Sequence, residues 1–419
     1  MAFGDLGVAE GASGRVVIVG AGQAGGEAAQ RLRAGGYAGE ITLIGEERYA
    51  PYQRPPLSKK YLSGEVEAEH LFLRPPALLE EEHIAFLPST RAVWIDRANK
   101  RLRLEAGREL GYDTLILATG SRARKLPLPG ADLRGVHLVR TIADIDAMKD
   151  AFTEDARLIV VGAGYIGLET AAVARKKGLD VLVLEAAVRP LARVTSPEMA
   201  GFFLDEHTAQ GVRFALNVQP AIIKGDVKAR AVGLADGTEI ETDIVVAGIG
   251  IAPETSLAQH AGLEVNDGIV VNRFMQTSDP AIYAIGDCTR RPLVHYPGRT
   301  ARLESVHNAV EGAKIAAAMI LGQTPPTEEA PWFWSDQYDL KLQIAGLSQG
   351  YDRIVERGSM KDRAFALVYY QGNRLIAVDA VNRPAEYLGV KRLIEKGASP
   401  PPERLADPNQ TMKEIVAAA

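Results

Sequence analysis

"LIVVGAGYIGLETAAVA", residues 158–174, runs from an apolar stretch through three closely spaced glycines into an alanine-rich stretch of helical period. A near copy precedes it, "RVVIVGAGQAGGEAAQRL" at 15–32. Both read as strand, tight turn and helix. The turns carry G-x-G-x-x-G, as Gly20, Gly22 and Gly25 and again as Gly162, Gly164 and Gly167. In such a turn the first glycine makes the bend, the second lets a pyrophosphate reach the backbone, and the third lets helix and strand pack closely. The helix N-terminus then faces the phosphates. Ala21 and Ala24 in the first turn, and Tyr165 and Ile166 in the second, join the glycines as candidate contacts.

Each turn is followed by a second strand that closes on an acid, where a ribose hydroxyl is held. "EITLIGEE" ends on Glu46, with Glu47 as a neighbouring candidate, and "DVLVLE" ends on Glu185. A carboxylate at the second position favours a free 2′-hydroxyl over a 2′-phosphate, so NADH is expected there rather than NADPH. Arg189 and Arg193 follow closely; beside Glu185 they read as pyrophosphate contacts or surface charge. Two such turns in one chain imply two dinucleotides, one handing electrons to the other.

The chain has 419 residues, too many for one ordinary core, with 47% hydrophobic residues and a net charge of −5. That balance supplies no overall field for nucleic acid or an anionic membrane, and no apolar stretch approaches the length of a membrane span. Cys288 is the only cysteine, which rules out an intrachain disulfide and favours a cytoplasmic setting. The histidines (70, 83, 137, 207, 260, 295 and 307) never fall at paired ligand spacing, so no metal is expected. The leader, residues 1–14, reads as a mobile tail.

Outward from the turns, "DTLILATG" is a strand closing on Thr119 and Gly120, and "TIADIDAMKDAF" is helical. Beyond Pro253 come short strands, "GIVVN" and "AIYAIGD", then a helix through "ESVHNAVEGAKIAAAMILG". A Pro-rich linker at 323–331 precedes strands that look antiparallel, with a hairpin turn at Gln371–Asn373 and a helix in "RPAEYLGVKRLIEKG". The expected fold is α/β, two Rossmann-like dinucleotide-binding domains plus a smaller α+β C-terminal domain. The first domain is discontinuous, 15–122 and 251–328; the second spans 123–250 and the third 329–419.

"VGAGQAGGEAA", "LILATG", "VVGAGYIGLE" and "TSDPAIYAIGDC", in that order, resemble the flavoprotein reductases with two dinucleotide sites. "RPPLSKKYL" at 54–62, "ESVHNAVEGA" at 304–313 and "PWFWSDQYD" at 331–339 narrow the resemblance. They are similar to NADH-dependent ferredoxin reductases that serve bacterial cytochrome P450s and ring-hydroxylating dioxygenases. The resemblance runs from about Arg15 to the C-terminus. It implies FAD at the first turn, with Glu46, Thr119, Gly120 and Asp287, and NADH at the second, with Glu185, Arg193, Gly248 and Gly250. Arg54, Ala92 and Arg140 match further FAD-contacting positions. Lys59 and Glu169 match residues beside flavin and nicotinamide, the glutamate holding a lysine that favours electron-rich flavin. Val306 opens a helix whose N–H groups would meet the flavin pyrimidine oxygen, and Trp334 would wall the flavin pocket. Read alone, Gly286–Asp287 is a turn, Lys59 a solvated lysine and Glu169 an acid in the first turn of a helix.

Related disulfide reductases carry a redox-active cysteine pair and a C-terminal His–Glu pair. This chain has "RPPLSKK" where the cysteines would lie and no histidine after His307, so disulfide reduction is excluded. A FAD-dependent NADH:ferredoxin reductase remains, feeding an acidic [2Fe–2S] ferredoxin. Arg290, Arg291, Arg299 and Arg302 form the expected docking patch. The alternatives are a reductase for rubredoxin or a small acceptor, and a redox sensor resembling apoptosis-inducing factor. A monomer is favoured over a homodimer.

Overall fold

A computed structural model describes residues 13–419. Of the leader expected to be mobile, residues 1–12 lie outside the described residues. Gly14 lies within them, its carbonyl accepting the Glu40 N–H at 2.8 Å. The described chain divides into two compact units. One holds residues 13–53, 69–122 and 252–329; the other holds 54–68, 123–251 and 330–419.

The first unit is built on a five-stranded parallel sheet. Its order is Ile282–Ala284, Thr114–Leu117, Arg15–Val19, Glu40–Ile44 and Ile84–Leu87. Val16 to Val19 are all buried, the mark of a parallel strand covered on both faces. The helices Gln23–Ala34 and Val306–Ile320 contribute Ala28, Leu32, Ala313 and Ala316 to the same core.

The second unit repeats this plan, with the order Arg213–Leu216, Asp180–Glu185, Arg157–Val161, Ile244–Ala247 and Val136–His137, again parallel. The repetition extends to parts the sequence pattern passes over. Each unit inserts a three-stranded antiparallel sheet before the strand that returns beside its glycine turn. These are Ala92–Asp96, Arg101–Leu104 and Glu109–Gly111 in one, and Pro220–Lys224, Ala231–Leu234 and Glu239–Glu241 in the other. Strands this short, some as charged as "RLRL", give little signal.

The second unit also carries a five-stranded antiparallel sheet. Its order is Trp332–Gln337, Leu340–Gly346, Arg374–Val381, Ala364–Gln371 and Arg353–Ser359, with the helix Pro384–Glu395. The fold class is therefore the expected one, and the hairpin at Gln371–Asn373 is present. Two elements are shorter than expected. "GIVVN" yields only Ile269–Val270. "TIADIDAMKDAF" gives Ile142–Asp146, capped by Thr141 and Asp144, then a 3₁₀ turn at Lys149–Ala151. The break falls at Met148, where φ is −123°, and both Met148 and Phe152 are buried. Among the described residues no helix is long and apolar enough to cross a membrane.

Candidate active site

The two glycine turns superpose in their chemistry. Gly20 has φ +112°, and a Cβ there would lie 2.1 Å from the Ala118 carbonyl oxygen. Gly162 has φ +102°, and its Cβ would lie 2.5 Å from the Gly248 oxygen. The third glycines are held as closely: a Cβ on Gly25 would sit 1.9 Å from the Gly20 oxygen, and one on Gly167 2.1 Å from the Gly162 oxygen. The middle glycines differ. A Cβ on Gly22 or Gly164 would meet no protein atom within 4 Å, and both are extended, with φ −91° and −77°. The protein itself does not need glycine there; an approaching pyrophosphate does. Both helices also start without a side-chain cap or an acid in the first turn. Their leading N–H groups suit an anion, so the residues present fit two dinucleotide pyrophosphates.

In the first unit the remaining candidates gather around Gly20. Gly286 lies against Ala24: a Cβ added to it would sit 3.0 Å from the Ala24 Cβ. Asp287 accepts from the Ser121 hydroxyl at 2.9 Å, and the Thr119 hydroxyl donates to the Glu254 carbonyl at 2.6 Å. Glu46 stands exposed just past its strand, 3.7 Å from Arg91 Nε, while Glu47 accepts from Tyr52 at 2.7 Å. Ala92 opens its strand half-buried. Val306 begins the helix capped by Ser305, whose hydroxyl accepts the Asn308 N–H. Cys288 is buried, and burial raises its thiol pKa.

In the second unit the Glu185 carboxylate accepts the N–H groups of Ala163 at 2.6 Å and Ala187 at 2.7 Å, so it lies against the turn itself. Gly248 touches Gly167, and Arg193 stands beside Gly250. Arg189 instead donates to the carbonyls of Ala192, Thr195 and Ser196 and ties down their loop. Ile166 is exposed. Arg54 Nη1 donates to the Arg140 carbonyl at 2.6 Å, and Trp334 is half-buried beside Trp332.

Lys59 and Glu169 meet. The proline-started turn Pro55–Ser58 delivers Lys59 Nζ to 2.6 Å from Glu169 Oε2, with the Glu169 side chain 1% exposed. A carboxylate so buried requires both a counter-charge and full hydrogen bonding. The Ser58 hydroxyl donates to Oε2 at 2.5 Å and the Ser335 hydroxyl to Oε1 at 2.6 Å. Sequence reasoning missed both serines. The signal for Ser335 was available: on the strand Trp332–Gln337, Phe333, Ser335 and Gln337 share one face by the two-residue period. Phe333 packs on Tyr165 at 5.0 Å, and Ser335 reaches Glu169 one helical turn further along. A serine and a glutamine on the buried face of an aromatic strand need partners.

Of the docking patch expected at 290–302, the structure removes one member, Arg291. Arg291 is 2% exposed, ion-paired with Glu311 and, at 3.5 Å, with Glu328. Arg290 and Arg302 both engage Asp267, and Arg302 also engages Glu304. Arg299 lies over the Tyr296 ring. Apart from Glu304, the counter-charges come from outside the stretch, from Asp267 before it and from Glu311 and Glu328 after it, which a local reading of charge overlooks.

Two buried groups in the second unit set opposite pH trends. Burial pushes Asp379 up from 3.8 to about 6, although Thr195 and Tyr369 donate to it. Folded protein thus binds this proton more tightly than unfolded chain, and the group adds stability as pH falls from 6 to 4. Burial pushes His207 down from 6.5 to about 4; here the unfolded chain binds the proton more tightly, and stability falls over nearly the same window. The two largely cancel. Asp379→Asn should therefore expose the histidine trend, a loss of about 3 kcal/mol between pH 6.5 and 4, read by calorimetry across that range. An unchanged pH profile in that variant would refute the assignment.

The comparisons with known proteins agree with this geometry. The family described as pyridine nucleotide-disulphide oxidoreductase matches residues 14–313, and a reductase C-terminal family matches 332–416. The chain belongs to the pyridine nucleotide-disulphide oxidoreductases. Its similarity to putidaredoxin reductase of Pseudomonas putida is 44% identity over 97% of this chain and 98% of that one. Rhodocoxin reductase of Rhodococcus erythropolis is likewise 44% identical, over 96% and 94%. The solved covalent putidaredoxin reductase–putidaredoxin complex matches with a TM-score of 0.95, at 44% identity, over 97% of this chain and 99% of that one. Like its family, this pyridine nucleotide-disulphide oxidoreductase contains FAD and depends on NAD(H). The disulfide chemistry in the family name has no counterpart here, where the sole cysteine, Cys288, is buried.

Proposed function

We propose that this chain is the NADH:ferredoxin reductase of a bacterial cytochrome P450 or dioxygenase system, acting in the cytoplasm as a monomer. The observation that carries the reading is the pair of equivalent glycine turns, each with a middle glycine whose Cβ would meet no protein atom within 4 Å, in a chain with one cysteine. Electrons that enter from one dinucleotide and leave through the other need an external acceptor. FAD, when bound, takes two electrons as hydride from NADH and releases them singly, as a [2Fe–2S] ferredoxin requires.

The residues divide that work. The first turn, with Glu46, Thr119, Gly120 and Asp287, binds FAD within a domain of 15–122 and 251–328. The second turn, with Glu185, Arg193, Gly248 and Gly250, binds NADH within 123–250. Glu185 excludes a 2′-phosphate by charge. Lys59 serves the transfer step, its ammonium fixed by Glu169.

Anaerobic stopped-flow tests the reading. Mixed with NADH, the FAD-loaded protein should bleach rapidly, then reduce an added [2Fe–2S] ferredoxin. NADPH should be slower by about a hundredfold or more, since like charges brought together cost several kcal/mol. Fast bleaching without transfer to ferredoxin would move the acceptor to rubredoxin or a small molecule. Slow bleaching that leaves a long-lived NADH complex would indicate a redox sensor instead.

A further inference from the structure

The Lys59–Glu169 pair is the inner end of a longer hydrogen-bonded chain. Ser335 Oγ lies 2.6 Å from Glu169 Oε1, and Gln337 Nε2 lies 3.1 Å from Ser335 Oγ. His207 Nε2 lies 2.7 Å from Gln337 Oε1, and the Tyr338 hydroxyl lies 3.0 Å from His207 Nδ1. Ser335, Gln337 and His207 are all buried, at 1%, 1% and 0% exposure.

The proton on every link is fixed by elimination. The Glu169 carboxylate only accepts, so Ser335 gives it its single hydroxyl proton. Ser335 Oγ must then accept from the Gln337 amide. Turning that amide over would set two oxygens, from Gln337 and Glu169, in competition for one proton. With the Gln337 oxygen facing His207, Nε2 carries hydrogen and Nδ1 is bare, ready for the Tyr338 O–H. All four donors therefore point toward Glu169. His207 must be neutral for this, and its burial holds it so, with its pKa pushed down to about 4. The Tyr338 contact is made against backbone preference: the residue has φ +56° at the two-residue turn before Leu340, an unusual conformation for a bulky side chain.

We propose that His207 and Gln337 are positioning residues for Glu169, acting through Ser335 in a one-way donor chain that orients the carboxylate holding Lys59. The proposal rests on the reading that the Lys59–Glu169 pair serves hydride transfer. Each donor in such a chain polarises the next in a low-dielectric interior, so the links act as a unit. A displacement of the pair by an ångström or less is enough to slow a transfer that depends on alignment.

The test uses the full-length, FAD-loaded protein. Gln337→Met and Ser335→Ala should each lower the limiting rate of flavin reduction by NADH about tenfold, leaving the NADH Kd within about twofold. Combining them should be no worse than Ser335→Ala alone, because one break already opens the chain. Ser335→Thr, which keeps a hydroxyl, should recover most of the loss. Independently of turnover, ¹⁵N NMR should find His207 neutral with hydrogen on Nε2. Multiplying effects in the double variant, a loss confined to Kd, or hydrogen on Nδ1 would each overturn the chain. Glu169→Gln separates the two levels. If it is slow while Gln337→Met and Ser335→Ala run at the native rate, the chain is wrong and the pair stands. If Glu169→Gln itself runs at the native rate, the pair's role falls and the chain with it.

Discussion

Gly164→Val should unfold at the wild-type temperature yet bind NADH about a hundredfold more weakly, a loss near 3 kcal/mol. The stability half follows from the turn, where a Cβ at 164 meets no protein atom within 4 Å and the backbone is extended. The affinity half follows because the added isopropyl group fills the approach a pyrophosphate needs. Gly167→Ala is the contrasting variant. Its Cβ would lie 2.1 Å from the Gly162 oxygen, so helix and strand must separate and the second unit should lose stability outright. NADH titration and thermal unfolding of the two variants make the comparison. If Gly164→Val were as unstable as Gly167→Ala, the space at the middle glycine would belong to the protein and the cofactor assignment of this turn would fail.

Lys59→Met should be costly twice over. Removing the ammonium leaves Glu169, 1% exposed, as an uncompensated buried charge, worth about 3–5 kcal/mol of destabilisation. It should also slow flavin reduction by NADH about a hundredfold, the scale seen when a positioned charged group is lost from a transfer step. The double variant Lys59→Met, Glu169→Gln separates these effects. Without a charge to strand, stability should return to within about 2 kcal/mol of wild type, while the rate stays low. Recovery of the rate together with the stability would show that the pair is structural.

Much of this was legible in the sequence because glycine spacing and β-branched runs are local signals. Gly25 and Gly167 are required by contacts five residues back, with the Gly20 and Gly162 oxygens, so a single stretch of chain states the requirement. Gly20 and Gly162 also answer to Ala118 and Gly248, yet the motif spacing announces them. The meeting of Lys59 with Glu169 was accessible only through resemblance, since the two lie 110 positions apart. Ser58, Ser335 and Gln337 were not singled out, and His207 was read only as a histidine outside any metal spacing. The two-residue period puts Ser335 and Gln337 on a buried face, but their partners Glu169 and His207 come from the helices Tyr165–Lys176 and Pro197–Ala209. Ser58 meets Glu169 from the turn Pro55–Ser58. These are tertiary choices that no local period encodes. Arg291 was misread as a surface charge for the same reason in reverse. A run of positive charge was plain, but Glu311, Glu328 and Asp267, which pair with it, were visible only once the chain was folded.

Glu185 bears on how this protein could change its diet of cofactors. Its carboxylate grips the N–H groups of Ala163 and Ala187, so the group proposed to select the ribose is also a strut of the loop around it. A lineage drifting toward NADPH could not simply discard the acid, because the same step would release two backbone donors at the mouth of the site. The switch would need a compensating acceptor first or a replacement that still reaches both amides. The preference for the unphosphorylated coenzyme proposed for Glu185 would thereby be buffered against single substitutions.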